Sequence, residues 1–567
     1  MKKFRPAIGY SDFRELREAG LSYVDKTSFI TEILDDSSKV LLFPRPRRFG
    51  KTINLSMLGH FLRKTNEDLL PLFAGLEVTK NAETMAHFQQ YPVIFATFKD
   101  VKAKTFADAL DGIRAQIVTA YREHRYLLDE NKLDATIARE FQRVLTGEAT
   151  ANELQYAFFW LSKALHEHHG KRAVILIDEY DTPVQSGYAH GFFDDVVLFF
   201  RNFFSACLKD NSALFKSVLT GILRVSKENM FSGLNHIDVR TILHEPYSTS
   251  FGFTEDEVAS IVEPAHLEEV RSWYNGYVFG GHVIYNPWSI LHYIKNGVLE
   301  PYWVNTASNE LIERLALKEG LGLSDTSAAL LNGGTIDVQI DSNIVLRDID
   351  RIPEAFWNFL LFAGYLKVVD LQLDMGRYHG KLAIPNREVN IVYQDLFRMW
   401  LAKADPTSDD TKTVVKALLA GDAATVQESL GRILLTAMSY YDAAGAKPEK
   451  LYHGFVLGLL VHLEKQYEIR SNRESGYGRA DMIMRPRTSG RPGVVIEFKV
   501  LDSPRKTVDG VLKEGAQQVR ELRYASELAA AGASPVYEYV MTFDGKQTWV
   551  KRVEEVLGEA SSVERTF

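Results

Sequence analysis

Short apolar runs alternate with stretches of helical period through the first 240 or so residues. Lys39-Val40-Leu41-Leu42-Phe43 has the length and composition of a buried strand, and a Gly50-Lys51-Thr52 turn and a helical stretch from Ile53 to Lys64 follow it. Pro92–Phe98 predicts another strand, residues 105–125 and 150–169 carry helical periodicity, and Ala173-Val174-Ile175-Leu176-Ile177 is a fully apolar strand ending in Asp178-Glu179. Phe215–Gly221 predicts one more strand. Strands alternating with helices in this way predict a mostly parallel α/β sheet. The pattern then changes. Thr254-Glu255-Asp256-Glu257 opens a helix with a capping-box start. Residues 254–400 look mainly helical, with a short strand pair near Leu366–Ile384. Residues 405–445 are helical again around a loop from Asp405 to Asp410. The last stretch starts with the apolar helix Phe455–Leu463, continues as strand, hairpin and helix, and ends in strands at Val536–Phe543 and Thr548–Val553. The expected domains are 1–240, 241–400, a helical connector 401–445, and 446–567.

Composition narrows the class. At 567 residues with 46% hydrophobic and 25% charged positions, the chain is an ordinary multidomain globular protein. The single cysteine, Cys207, excludes an intramolecular disulfide framework and a cysteine-based zinc site, and fits a reducing cytosol. No apolar run approaches the roughly 18 residues of a membrane span. The best candidate, Phe356–Leu366, reads as a core helix. The N-terminus lacks the apolar stretch of a signal peptide, so the expectation is a cytoplasmic protein without a membrane partner. A net charge of −8 argues against a general nucleic-acid coat, but residues 464–524 hold 13 Lys/Arg against 9 Asp/Glu. A local field of that sign suits a nucleic-acid partner.

Gly50-Lys51-Thr52 between a strand and a helix is the end of a phosphate-binding loop. Backbone N–H groups and the helix N-terminus attract phosphate. Lys51 is expected to reach the outer phosphates of ATP, and Thr52 to ligate Mg²⁺. Asp178, at the end of a buried strand, is the expected second Mg²⁺ contact, and Glu179 the water-activating base. Thr220 stands at a sensor-like place, and Arg224 is a candidate γ-phosphate contact. Arg45 occupies the position of the pattern's first glycine. Arg45, Arg47 and Arg48 read either as phosphate ligands, Arg48 foremost, or as a solvated basic loop.

The string Arg45-Pro46-Arg47-Arg48-Phe49-Gly50-Lys51-Thr52 closely resembles the bacterial AAA-ATPase-like family, whose members carry this form of the loop. The resemblance continues through Ile177-Asp178-Glu179-Tyr180-Asp181-Thr182-Pro183, Phe231-Ser232-Gly233-Leu234-Asn235, Trp273-Tyr274-Asn275-Gly276-Tyr277 and Tyr285-Asn286-Pro287-Trp288-Ser289, and spans about residues 5–300. It implies a P-loop NTPase sheet followed by a helical or winged-helix module. By itself the aromatic stretch 273–289 reads as a packed loop rather than a ligand site.

A second constellation lies near the C-terminus. Gly478-Arg479-Ala480-Asp481 precedes a turn and the apolar strand Gly493–Lys499. Side chains alternate along a strand, so Glu497 and Lys499 share a face, and a hairpin can bring Asp481 beside them. Two carboxylates and a lysine of this kind hold Mg²⁺ next to a phosphodiester. The pattern resembles the PD-(D/E)xK nuclease superfamily, and with Tyr452–Leu460 and Ser471–Gly476 the match covers about 450–545. The resemblance implies a restriction-endonuclease-like α/β domain in which Asp481 and Glu497 bind metal and Lys499 stabilises charge. Gln518, or less well Gln517, and Tyr524 would serve from a helix spanning Lys513–Leu528. Glu474 is a candidate extra ligand, whereas His453 and His462 read as packing or helix-surface residues. The whole chain therefore reads as an ATP-gated, Mg²⁺-dependent DNA nuclease, possible as a homo-oligomer, with defence against foreign DNA as an analogy from architecture. The competing readings are a non-catalytic nucleotide switch that binds nucleic acid or protein, and an ATP-driven motor for mobile DNA.

Overall fold

The computed structural model describes residues 4–129, 133–223, 236–303, 330, 333–342, 346–349, 353–393, 409–437, 448–460, 463, 466–471, 474–475, 478–479, 481–501, 506–544 and 547–558. The chain forms two compact units, Met1–Leu311 with Asp337–Val389, and Ile312–Ile336 with Asn390–Phe567.

The first unit is built on a five-stranded sheet of β1 (Val40–Pro44), β2 (Val93–Thr97), β3 (Ala173–Asp178), β4 (Leu214–Gly221) and β5 (Ile237–Val239). The strands run in the order β2-β3-β4-β1-β5, all parallel. β1 and β3 are buried along their whole length, which is why they read as unbroken apolar runs. Helices cover the sheet. The helix Lys51–Leu62 is buried nearly all round, polar Lys51, Asn54 and Ser56 included, and packs against β3, where Gly59 leaves its backbone space beside Leu176. In such sheets ligands bind beyond the C-terminal strand ends. The strand order sets the ends of β1, β4, β3 and β2 side by side.

Past residue 240 the structure differs from the helical expectation. β6 (Phe253–Thr254), β7 (Tyr277–Phe279) and β8 (His282–Tyr285) form an antiparallel sheet in the order β6-β8-β7. The β7–β8 turn is Gly280-Gly281, with φ of 51° and 86°. Positive φ at both central residues matches the right-handed twist of a hairpin. The aromatic stretch read as a packed loop is therefore partly this hairpin. A further sheet orders β9 (Ile336–Ile340), β10 (Lys367–Asp374) and β11 (Arg377–Ala383) as β10-β11-β9, with β10 and β11 at the expected strand pair.

The second unit contains the helices Asp409–Ala420, Ala423–Ala437 and Pro448–Leu460, then β12 (Tyr467–Ser471), β13 (Glu474–Ser475), β14 (Gly478–Arg479), β15 (Met482–Pro486), β16 (Gly493–Val500), β17 (Val536–Asp544) and β18 (Gln547–Arg552). Its main sheet is mixed, in the order β12-β15-β16-β17-β18, with β16 and β17 parallel and the other pairs antiparallel. The helix Val508–Leu522 lies in the crossover between the parallel pair. Alternation along β16 divides the core. Ile496 and Phe498 pack with Met482, Met484 and Phe455, while Val495 packs with Leu512, Ala516 and Val519. The single helix expected over Lys513–Leu528 is broken at Arg523, whose φ is 51°, and a second helix runs Tyr524–Ala530. Among the described residues no helix is long and apolar enough to cross a membrane.

Candidate functional site

The loop after β1 turns at Gly50, whose φ of 86° is a left-handed conformation, and delivers the helix Lys51–Leu62. A Cβ at Gly50 would meet only Ile53, at 3.6 Å, so backbone conformation rather than space selects glycine there. Thr52 Oγ1 donates to Asp178 Oδ2 at 2.8 Å, Thr220 Oγ1 donates to Asp178 Oδ1 at 2.7 Å, and Thr97 Oγ1 donates to Oδ2 at 3.2 Å. Asp178 is fully buried, and burial, reinforced by the Glu179 charge, pushes its carboxyl above the usual range while the hydroxyls of Thr220 and Thr52 oppose the shift. Lys51 Nζ lies 3.1 Å from Glu179 Oε1 and donates to the carbonyls of Arg45 and Pro46. Glu179 itself holds a φ of 50°. A left-handed non-glycine residue costs about 1–2 kcal/mol, so surrounding structure must hold this acid where the strand ends.

Gly50, Lys51, Thr52 and Glu179 face a cavity of about 690 Å³, walled also by Arg47, Arg48, Phe49, Lys99 and Lys102, and on other sides by Tyr10, Tyr23 and Trp288. That size accommodates a nucleotide. Arg48 is exposed at its rim, with its guanidinium 4.2 Å from the Trp288 ring centre. Arg45 is not a phosphate ligand. It is fully buried, donates to the carbonyls of Pro44 and Arg240, and lies 5.0 Å over the Phe251 ring. Arg224 lies outside the described residues.

Sequence reasoning missed Thr97 and Asp181. Thr97 ends a strand without a motif. Asp181 is fully buried, and its Oδ2 accepts from the N–H groups of Ile222 and Leu223 at 3.0 Å each and from Gln185 at 2.9 Å, clamping the chain just past Thr220. Burial pushes its carboxyl up to about 6, with the Glu179 charge adding to the shift. The signal was present in the Asp178-Glu179-Tyr180-Asp181 string, but not the partner of its last acid.

In the second unit, Met482 pairs with Ile496, so Asp481 arrives opposite the Glu497–Phe498 stretch. Asp481 Oδ2 accepts from the Phe498 N–H at 2.8 Å. Burial raises its carboxyl pKa, against the pull of that N–H and of Lys499. Glu497 and Lys499 lie on the helix-facing side of β16, and Lys499 Nζ is 2.7 Å from Glu497 Oε1. Lys499 also donates to Gln518 Oε1 at 3.0 Å, from the helix Val508–Leu522. Gly515 makes this approach possible, since a Cβ there would lie 2.7 Å from Val540 Cγ1. Gln517 is exposed, and Tyr524 packs with Val495 and Leu528 in the core. His453 is buried with its ring 5.2 Å from that of Phe498, and burial pushes its imidazole down to about 4, opposed by a hydrogen bond to the backbone of Asp481. The Glu474 side chain and His462 lie outside the described residues.

Among the described residues, no group of three His, Cys, Asp or Glu side chains is placed to hold a metal. The carboxylates that adjoin Lys499 here are those of Glu497 and Asp481. An all-oxygen set with two carboxylates fits a hard cation that keeps water and phosphate oxygens in its remaining positions.

Comparison with known proteins agrees with both halves. Residues 7–231 match the family described as Predicted AAA-ATPase, and residues 447–553 match the PD-(D/E)XK nuclease superfamily. The chain is also 27% identical over 548 residues to the "Uncharacterized protein in vnfD 5'region" of Azotobacter chroococcum mcd 1, covering 94% of this chain and 95% of that protein. The chain therefore joins a predicted AAA-ATPase domain to a C-terminal PD-(D/E)XK nuclease superfamily domain.

Proposed function

We propose that the protein is a nucleotide-gated nuclease that binds ATP with Mg²⁺ in the first unit and hydrolyses DNA phosphodiester bonds with Mg²⁺ in the second. The observation that carries this reading is the Asp481, Glu497, Lys499 and Gln518 cluster, in which Lys499 bridges Glu497 at 2.7 Å and Gln518 at 3.0 Å. Asp481 and Glu497, with the Phe498 carbonyl, are the groups to hold the cation. When bound, such a cation polarises the phosphate and lowers the pKa of an attacking water. Lys499 stabilises the charge that builds on the phosphate, and Gln518 fixes its ammonium. In the first unit Thr52 and Asp178 supply the cation contacts, Lys51 and the loop N–H groups take the phosphates, and Glu179 orients water. A nucleotide site joined to a nuclease domain suits defence against foreign DNA.

The test is cleavage of supercoiled and linear DNA with Mg²⁺, with and without ATP, by wild type, Lys499→Ala and Lys51→Ala. Lys499→Ala should lose cutting by about 10²-fold or more, and Lys51→Ala should cut without responding to ATP. Absence of cutting of both DNA and RNA under every nucleotide condition would defeat the nuclease reading and favour a non-catalytic switch.

A further inference from the structure

The phosphate-binding loop is held from outside its own cradle. Trp303, fully buried, donates its indole N–H to the Arg47 carbonyl at 3.1 Å. Its backbone N–H donates to Glu388, a buried carboxyl group that also accepts from Ser289 Oγ at 2.8 Å. Ser289 follows Trp288, the ring on which Arg48 lies. Loop, Trp303, Glu388 and the helix Pro287–Asn296 thus form a closed circuit.

The circuit acts on one peptide plane. In a trans peptide the carbonyl of one residue and the N–H of the next point in opposite directions. Anchoring the Arg47 carbonyl on Trp303 therefore fixes where the Arg48 N–H points. Arg48 carries a φ of 67°, a conformation that a non-glycine residue keeps only when its surroundings hold it. Glu388, at the other end of the circuit, begins the last residues of the first unit: the chain is helical over 387–393 and passes to the second unit after Val389.

We propose that Trp303, seated by Glu388, is a positioning residue of the nucleotide loop, and that it links nucleotide binding to the segment 387–393 through which the chain returns to the second unit. This rests on the reading of the loop as an ATP site. Linkage is reciprocal, so a change at Glu388, which does not line the cavity, must be felt by the nucleotide.

The experiment uses the full-length chain, a fluorescent ATP analogue and amide hydrogen exchange. Trp303→Phe removes the indole donor but keeps an aromatic ring, and Glu388→Gln keeps the side-chain shape. Both should remain folded by circular dichroism. Trp303→Phe should bind the analogue about tenfold more weakly, the effect of one lost hydrogen bond. In wild type, saturating ATP should slow exchange across 387–393, and in Trp303→Phe at saturating ATP it should not. Glu388→Gln should shift analogue affinity in the same direction as Trp303→Phe. The link is overturned if wild type binds the analogue without any exchange response at 387–393, or if Trp303→Phe keeps wild-type affinity and the full response. A wild type that binds no nucleotide at all overturns the ATP reading itself, and the link with it.

Discussion

Arg45 shows how a residue can break a sequence pattern for a reason only its surroundings supply. The pattern asks for glycine, whereas the fold fills the position with a buried guanidinium that satisfies the carbonyls of Pro44 and Arg240. Arg45→Gly should therefore not restore an ordinary loop. It leaves acceptors unpaired and opens a cavity, and should cost about 3 kcal/mol or more, read as a lower urea midpoint; a loss under about 1 kcal/mol would contradict this account. Glu388 makes a second residue-scale prediction. Burial pushes its carboxyl up to about 7 from an ordinary 4.5. The neutral form is favoured in the folded state, so its contribution is complete below the unfolded pKa and is lost as pH rises through the folded one. Between pH 5 and pH 8 wild type should lose about 2–3 kcal/mol relative to Glu388→Gln, measured by denaturation of both at each pH. A parallel pH response in the two proteins would remove Glu388 as the cause.

At the scale of elements, the hydrophobic pattern was a good guide where one face alone is buried or where a strand is wholly enclosed. β1, β3 and β16 and the helix Phe106–Glu123 lie where their periods predict. The pattern failed where backbone conformation, not burial, decides. The Gly280-Gly281 hairpin and the break at Arg523 are set by positive φ values. The helix Val508–Leu522 depends on a contact that its period does not show. Gly515→Val would place a Cβ 2.7 Å from Val540 Cγ1 and 3.4 Å from Lys499 Cγ. The helix must move outward, at about 1–3 kcal/mol, and carry Gln518 away from Lys499. Chemical denaturation and DNA cleavage should both register the change, and unchanged cleavage would separate Gln518 from the reaction.

For the whole molecule, the nucleotide binding proposed for the first unit would also be a stability term. A ligand that binds only the folded chain at about a hundred times its Kd adds about 2.7 kcal/mol. Thermal unfolding in Mg²⁺ with ATP should therefore shift upward for wild type and hardly at all for Lys51→Ala. Equal shifts in both would place binding elsewhere. The amino-acid sequence by itself determined the two kinds of domain, because strand runs, the Gly50-Lys51-Thr52 turn and the Glu497-x-Lys499 alternation are local patterns that chain geometry converts directly into structure. It also marked Asp178 and Asp481 as acids at strand ends. Only the tertiary structure decided which groups meet them. Thr97 and Thr220 reach Asp178 because β2, β3 and β4 are neighbours, and Trp303 reaches Arg47 across 256 positions of chain. Contacts of that separation depend on strand order and packing, which no local period encodes.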